Sequence, residues 1–297
     1  MTQINRREFI HQSALMSGAA ACAMAGVPAW AAQKGNKMQF GLVTYLWGQD
    51  WDLPTLIKNC EKTKVLGVEL RVEHAHGVMP DLTKQERQDV KKRFEDSPVA
   101  VLGPGTNEQY DSPDPAVLKQ NIERTKEFIK LSHDIGGTGV KVKPNQLHKD
   151  VPKEKTLHQI GHSLKELGEF AKDYGQMIRL EVHGRDTSDL PNIRVIMDAA
   201  DHPNVGACWN CNDQDLQGQG LEYNFNLVKD TFGDTVHVRE LNEGEYPYQK
   251  LMNLFVGMDY AGWILLEART KPDDRVKALA EQREIWESMI AKAQASL

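Results

Sequence analysis

Two glutamates, a histidine and an asparagine stand at or just beyond the ends of short apolar runs, at Glu181, Asn210, His237 and Glu267. Carboxylate and amide oxygens with one imidazole form a hard set of ligands, which suits Mn²⁺, with Mg²⁺, Co²⁺ or Zn²⁺ as alternatives. Without a cation, two glutamates in a partly desolvated site would repel each other. The four residues therefore predict a divalent metal site. The alternative is that the polar side chains only end their strands, through ion pairs with Arg179, Arg239 or Arg269.

Such a site needs a scaffold that places the ends of successive strands side by side. From Met38 onward, eight short apolar runs alternate with eight amphipathic segments. This order is typical of an α/β fold, and it predicts a single-domain (β/α)₈ TIM barrel over residues 32–297. An open doubly wound sheet is the rival, although no Gly-x-Gly-x-x-Gly follows the first run. The third strand is predicted at residues 99–102 and the sixth helix at residues 222–232.

Further ionisable residues stand where the strands of such a barrel would end. Reacting groups lie at the carboxyl ends of the strands, on side chains that alternate along each strand. On the fourth strand, Lys143 is preferred to Lys141 because it is nearer the carboxyl end. The predicted substrate contacts are Arg71, His74, His76, Lys143, His183, Asp213 and Arg239. For the histidines after the second strand, a solvated loop is the alternative.

At these strand ends the chain resembles the xylose-isomerase-like TIM barrels, a family of sugar phosphate isomerases and epimerases that includes the ketose 3-epimerases. The likeness runs from Phe40 to the last helix, and its motifs are Ile178–His183, Val236–Glu240 and Gly262–Glu267. It implies that one divalent metal is bound by Glu181, His237 and Glu267. The family has an aspartate where this chain has Asn210, which removes one negative charge from the ligand set.

A second departure concerns the residues that contact the sugar. Where ketose 3-epimerases have a histidine and an arginine, this chain has Asp213 and Glu243. The family's metal site therefore carries over, whereas its sugar-reading residues do not. The expected substrate is a carbohydrate other than the free ketoses of those enzymes.

The predicted activity is that of a metal-dependent sugar isomerase or epimerase that transfers a proton beside a carbonyl through an enediolate. Glu181 and Glu267 are predicted to be the proton-transfer pair as well as metal ligands. Two alternatives remain open. The same site could serve a lyase or hydrolase that cleaves keto-glycosides, or the barrel could bind sugar without catalysis, as the neutral Asn210 would allow.

The N-terminal segment predicts export. Arg6 and Arg7 precede an Ala-rich apolar stretch, and Ala29-Trp30-Ala31 offers small residues to a signal peptidase. This order resembles a twin-arginine signal over residues 1–31, with an ordinary secretory signal as the alternative. Cleavage near Ala31 would release the protein to the periplasm or the exterior without a stable membrane anchor. The twin-arginine export machinery is thus an expected partner.

The charge balance of the chain limits which other classes of partner the sequence predicts. Removing Arg6, Arg7 and Glu8 with the signal shifts the formal net charge of −6 by one unit, to −7. An acidic chain without a basic cluster is not expected to bind nucleic acid, which requires clustered Lys and Arg. A small-molecule carbohydrate fits better, and the sequence leaves the oligomeric state open.

Overall fold

Strands and helices alternate throughout residues 33–297, which are the residues that the structure, a computed structural model, describes. The strands are β1 (Gln39–Val43), β2 (Gly67–Arg71), β3 (Ala100–Gln109), β4 (Gly139–Lys143), β5 (Met177–Glu181), β6 (Val205–Cys208), β7 (Thr235–Val238) and β8 (Trp263–Leu266). The helices are α1 (Leu53–Thr63), α2 (Lys84–Glu95), α3 (Pro115–Asp134), α4 (Lys153–Asp173), α5 (Leu190–Ala200), α6 (Leu221–Val228), α7 (Tyr248–Gly257) and α8 (Arg275–Ala295). The predicted signal, residues 1–31, lies outside this range.

The eight strands are parallel and form a nearly closed barrel. β1 pairs with both β2 and β8, so the first and last strands of the chain are neighbours and the two edges of the sheet are β6 and β7. The remaining gap lies between β6 and β7. Isolated bridges cross it, including one between Asn210 and His237, and the His237 backbone N–H donates to Trp209 O at 2.7 Å. The predicted TIM barrel is confirmed.

The third strand is longer than the sequence pattern predicted. It continues through Gly103, Pro104 and Gly105, residue types that are depleted in strands and that hide this part of β3 from a pattern search. Gly103 has φ +124°, and a Cβ there would lie 1.8 Å from Gly139 O, so the close approach of β4 requires glycine. The extension matters because it carries Asn107 to the barrel mouth.

The sixth helix is shorter than predicted. It ends at Val228, and a 3₁₀ turn at Lys229–Thr231 follows before the chain enters β7. The other helix ends follow the local sequence closely. At the start of α2, for example, Thr83 Oγ1 accepts from Glu86 N while Glu86 Oε2 accepts from Thr83 N, a capping box. Within residues 33–297, none of the helices is long and apolar enough to cross a membrane.

Alternation along the strands separates the apolar core from the site. One set of side chains packs outward against the helices and is fully buried, including Val140, Leu180, Val236 and Leu266. Each such burial stabilises the fold by roughly 1.5–3 kcal/mol. The other set points into the barrel. There Val43, Leu102 and Leu265 form a small apolar floor, and polar side chains lie above it.

Arg179 belongs to the lower part of this interior. Its guanidinium is fully buried and donates to both carboxylate oxygens of Asp234, at 2.7 and 2.8 Å, and to Leu102 O at 2.8 Å. Arg179 therefore holds the amino end of β7 and is not the ion-pair partner of Glu181, which was the alternative explanation for that glutamate.

Candidate metal and sugar site

Six polar residues meet inside the barrel above the apolar floor. We call them the inner ring: Glu69, Lys141, Glu181, Asn210, His237 and Glu267. All are buried, and they come from six different strands or from the residues just after them. Their alternation with outward-facing apolar residues is what brings them to one place, because only every second residue of a strand faces the barrel axis.

Three of the predicted metal ligands converge. Glu181, His237 and Glu267 each offer one ligand atom, and these atoms lie within 4.8 Å of one another. Asn210 is adjacent, since its Nδ2 donates to Glu181 Oε1 at 2.9 Å. Its Oδ1 is buried and has no hydrogen-bond partner within the part of the chain that the structure describes. A buried orphan oxygen beside two carboxylates and an imidazole fits a divalent cation.

His237 is oriented in a way that suits a metal ligand. His237 Nε2 lies 3.2 Å from Glu69 Oε2, and because a carboxylate only accepts, Nε2 carries the proton. The other ring nitrogen, Nδ1, is buried and unpartnered among the described residues. Metal-binding histidines usually donate their second N–H to such a carboxylate, which fixes the tautomer. Glu69 was not assigned a role from the sequence, although its alternation with Arg71 shows that it faces inward.

Lys141 is the ion-pair partner of Glu181. Its Nζ lies 2.6 Å from Glu181 Oε2, and both side chains are almost completely buried. Lys143, the predicted substrate contact on this strand, lies two residues further along β4, so its role stays a prediction. Sequence order shows which lysine is nearer the carboxyl end, but not which one reaches the neighbouring glutamate.

The environments of the two glutamates differ. Burial alone would raise the pKa of Glu181, but the charges of Lys141 and His237 hold that pKa well below its usual value. For Glu267, burial raises the pKa, and the nearby negative charge of Glu181 raises it further. Like charges brought together in a buried site thus push the pKa values of two carboxyls apart, a feature of acid–base pairs.

A second layer lies two residues further along several strands. We call it the outer ring: Arg71, Asn107, Lys143, His183 and Arg269. Asn107 Oδ1 accepts from both Arg71 Nη1 and Lys143 Nζ, each at 3.1 Å. The pKa of His183 is lowered by burial, and then by the charges of Lys143, Lys141 and Arg269 against the opposing effect of Glu181. His183, a member of the outer ring, is therefore also near Lys141 and Glu181 of the inner ring.

The two histidines after β2 have different environments. His76 Nε2 donates to Arg71 O at 2.8 Å and its Nδ1 accepts from Val78 N at 3.1 Å, so backbone groups use both ring nitrogens. Burial lowers the pKa of His76 to about 4. Its predicted contact with substrate is therefore corrected to a structural role in the loop. His74 is half-buried, and its Nδ1 lies 3.3 Å from Thr44 Oγ1.

Two of the predicted substrate contacts, Asp213 and Arg239, lie around a 3₁₀ turn after β6. Asp213 is exposed at the start of a 3₁₀ turn, and the buried acid of that turn is Asp215, which accepts from Tyr246 Oη at 2.7 Å. Burial raises the pKa of Asp215 to about 7, against the lowering effects of the hydrogen bonds from Tyr246 and the Asn212 backbone and of the nearby charge of Arg239. Neither Asp213 nor Arg239 joins the inner ring.

Comparison with known proteins places the chain in a family. The model of the xylose isomerase-like TIM barrel family matches residues 57–289. The chain belongs to this family. A search of curated proteins finds no match.

Solved structures of xylose isomerase-like barrels are similar over most of the chain. An L-ribulose 3-epimerase has 16% identity and a TM-score of 0.75, covering 87% of this chain and 96% of its own. A 3-keto-D-glucoside 4-epimerase from E. coli has 13% identity and a TM-score of 0.71, covering 84% and 99%. An IolI protein with a bound zinc atom has 14% identity and a TM-score of 0.72, covering 86% and 99%. At these identities the likeness shows the shared fold.

Proposed function

We propose that this protein is an exported, divalent-metal-dependent sugar isomerase or epimerase. One observation carries the proposal: Glu181, His237 and Glu267 present ligand atoms within 4.8 Å of one another at the mouth of a barrel of the xylose isomerase-like family. Two of the similar structures are an L-ribulose 3-epimerase and a 3-keto-D-glucoside 4-epimerase, which is consistent with it. Export rests on the twin-arginine signal in residues 1–31.

The residues that would hold the metal are Glu181, His237 and Glu267, with Asn210 through its orphan Oδ1. A bound divalent cation would polarise the substrate carbonyl and so acidify the adjacent C–H bond. Mn²⁺ is the proposed ion, because hard oxygen ligands with one imidazole suit it.

The two glutamates would move the proton. Glu181 reaches the site from β5 and is held in place by Lys141 and Asn210, at 2.6 and 2.9 Å. Glu267 follows β8, on a different part of the rim, and its backbone N–H donates to Val238 O at 2.7 Å. A sugar carbon bound between them faces one carboxylate on each side. One glutamate removes the proton beside the carbonyl, and the other returns a proton to the opposite face or to the neighbouring carbon.

The test combines conservative variants with a solvent label. Glu181→Gln and Glu267→Gln keep an oxygen ligand but remove the base, so we expect loss of turnover by a factor on the order of 10² or more. Glu61→Gln, on the exposed face of α1, is the matched control. The wild-type protein with Mn²⁺ in deuterated water should place deuterium beside the carbonyl of its keto-sugar substrate, as seen by NMR. The probes are D-fructuronate and D-fructose 6-phosphate, with D-fructose and D-tagatose as free ketoses for comparison.

Other outcomes separate the alternatives. Turnover without solvent deuterium at that carbon would refute the two-carboxylate mechanism and favour hydrolysis or hydride shift. Sugar binding without turnover or exchange would favour a binding protein. Equal activity in Glu181→Gln, Glu267→Gln and the control would show that the catalytic groups lie elsewhere.

A further inference from the structure

Two cations at the barrel mouth share one neutral acceptor. Arg71 Nη1 and Lys143 Nζ each lie 3.1 Å from Asn107 Oδ1, so the two nitrogens are at most 6.2 Å apart, twice that distance. Two positive side chains at this separation repel each other, and a neutral amide oxygen offsets that repulsion only in part. The arrangement is therefore unfavourable until an anion lies between or beside the two cations.

Neither cation has an acidic partner. Across residues 33–297, neither Arg71 nor Lys143 makes a salt bridge, although most arginines of this acidic chain do, as in the pairs of Arg87 with Asp134 and Arg275 with Asp50. Arg71 instead donates to Gly105 O at 3.0 Å, and its Nε is buried without a partner. Arg71 thus has a hydrogen-bond donor without an acceptor among these residues.

Burial makes the lysine costly in this position. Desolvation lowers the pKa of Lys143, and the neighbouring charge of Lys141 lowers it further, while Glu181 has the opposite effect. Arg71 and Lys143 come from β2 and β4 and meet over the β3 extension that carries Asn107. Their convergence is thus a product of the barrel and not of a flexible loop.

The distance from Arg71 and Lys143 to the inner ring matches the length of a ketose. Arg71 and Lys143 stand two residues beyond Glu69 and Lys141, which corresponds to about 7 Å along a strand. A ketose whose carbonyl end lies at Glu181 and Glu267 would place a group at its far end at this height. Arg269 adds a further guanidinium at the mouth, with its Nη2 3.9 Å from Glu267 Oε2.

We propose that the substrate is an anionic sugar, whose terminal carboxylate or phosphate binds between Arg71 and Lys143. This inference rests on the proposed function, because it assigns a substrate class to the same site. The Arg71 guanidinium supplies paired N–H donors to two anion oxygens, and the Lys143 ammonium supplies a point charge. Asn107 holds both cations in position before the anion arrives.

The test compares three probes that share a keto-sugar framework: neutral D-fructose, the carboxylate D-fructuronate and the phosphate D-fructose 6-phosphate. Binding is measured by calorimetry on the Mn²⁺-loaded protein, and solvent-deuterium exchange is measured separately. We expect at least one anionic probe to bind about tenfold or more tightly than D-fructose, with an advantage that shrinks in high salt. The anionic probe that binds more tightly shows whether the site prefers a sugar acid or a sugar phosphate.

Variants connect the preference to the cations. Lys143→Met and Arg71→Met should each remove most of the advantage that the anionic probe has over D-fructose. Lys143→Arg keeps the charge and should restore the preference, which excludes a folding defect. Lys58→Met, an exposed lysine of α1, should change nothing.

The inference is overturned if D-fructose binds as tightly as both anions, if none of the three binds, or if Lys143→Met weakens all probes equally. Its failure is distinguishable from failure of the proposed function. Selective anion binding that needs Lys143, without any deuterium exchange, would keep the anion site and refute the isomerase. Deuterium exchange into D-fructose without tighter binding of either anion would keep the isomerase and refute the anion site.

Discussion

Replacing Asn210 with aspartate tests the metal site, because it restores the charge that the xylose isomerase-like family usually has there. Asn210 Nδ2 now donates to Glu181 Oε1 at 2.9 Å, and both side chains are buried. In Asn210→Asp, that donor becomes a carboxylate oxygen facing another carboxylate. The protein without metal should therefore lose stability, whereas the metal-bound protein should gain affinity for its ion.

The size of the effect follows from the distance. Two unit charges 2.9 Å apart repel by about 6 kcal/mol at an effective dielectric constant of about 20. Proton uptake sets a limit, since protonating an ordinary carboxyl at pH 7 costs about 4 kcal/mol. Lys141 and His237 offset part of the repulsion. We therefore expect the free energy of unfolding in EDTA to fall by about 2–4 kcal/mol.

Urea unfolding and metal titration by calorimetry measure the two sides of this prediction. Because the cation relieves the repulsion, and about 1.4 kcal/mol corresponds to a factor of ten, Mn²⁺ should bind at least about tenfold more tightly to Asn210→Asp than to wild type. Asn253→Asp, at an exposed position on α7, is the control. Unchanged stability in EDTA together with unchanged metal affinity would refute the assignment of Asn210 to the site.

Two further predictions concern stability and export. Asp234→Asn leaves the buried Arg179 guanidinium without its charge partner and should cost about 2 kcal/mol at pH 7, since Asp234 itself is partly exposed. Although burial opposes it, Arg179 lowers the Asp234 pKa, so the pair stabilises the fold above the ordinary aspartate pKa and less as pH falls through the lowered value. The urea-unfolding difference from wild type should shrink below about pH 4; a constant difference would contradict this. Changing Arg6 and Arg7 to Lys should retain the precursor in the cytoplasm on fractionation, whereas normal export would contradict the twin-arginine signal.

Much of the barrel could be predicted because its strands bury one face against helices. Runs such as Val205–Cys208 and Thr235–Val238 have the length and burial pattern that a sequence reveals. The β3 extension could not be predicted in this way. Gly103 and Gly105 are there because neighbouring backbone and the Glu69 side chain come too close for a Cβ, a constraint that exists only once the barrel has formed.

In the site, too, some features could be predicted from the sequence and others only from the folded barrel. Residue types and alternation alone determined that Glu181, His237 and Glu267 face the barrel interior, because side chains of a strand alternate wherever the strand lies. Only the tertiary structure decided that Glu69, 168 residues away in sequence, orients His237, and that Lys141 reaches Glu181. Such pairings depend on the stagger between strands and on how far each side chain extends across the barrel, neither of which is encoded in a local pattern.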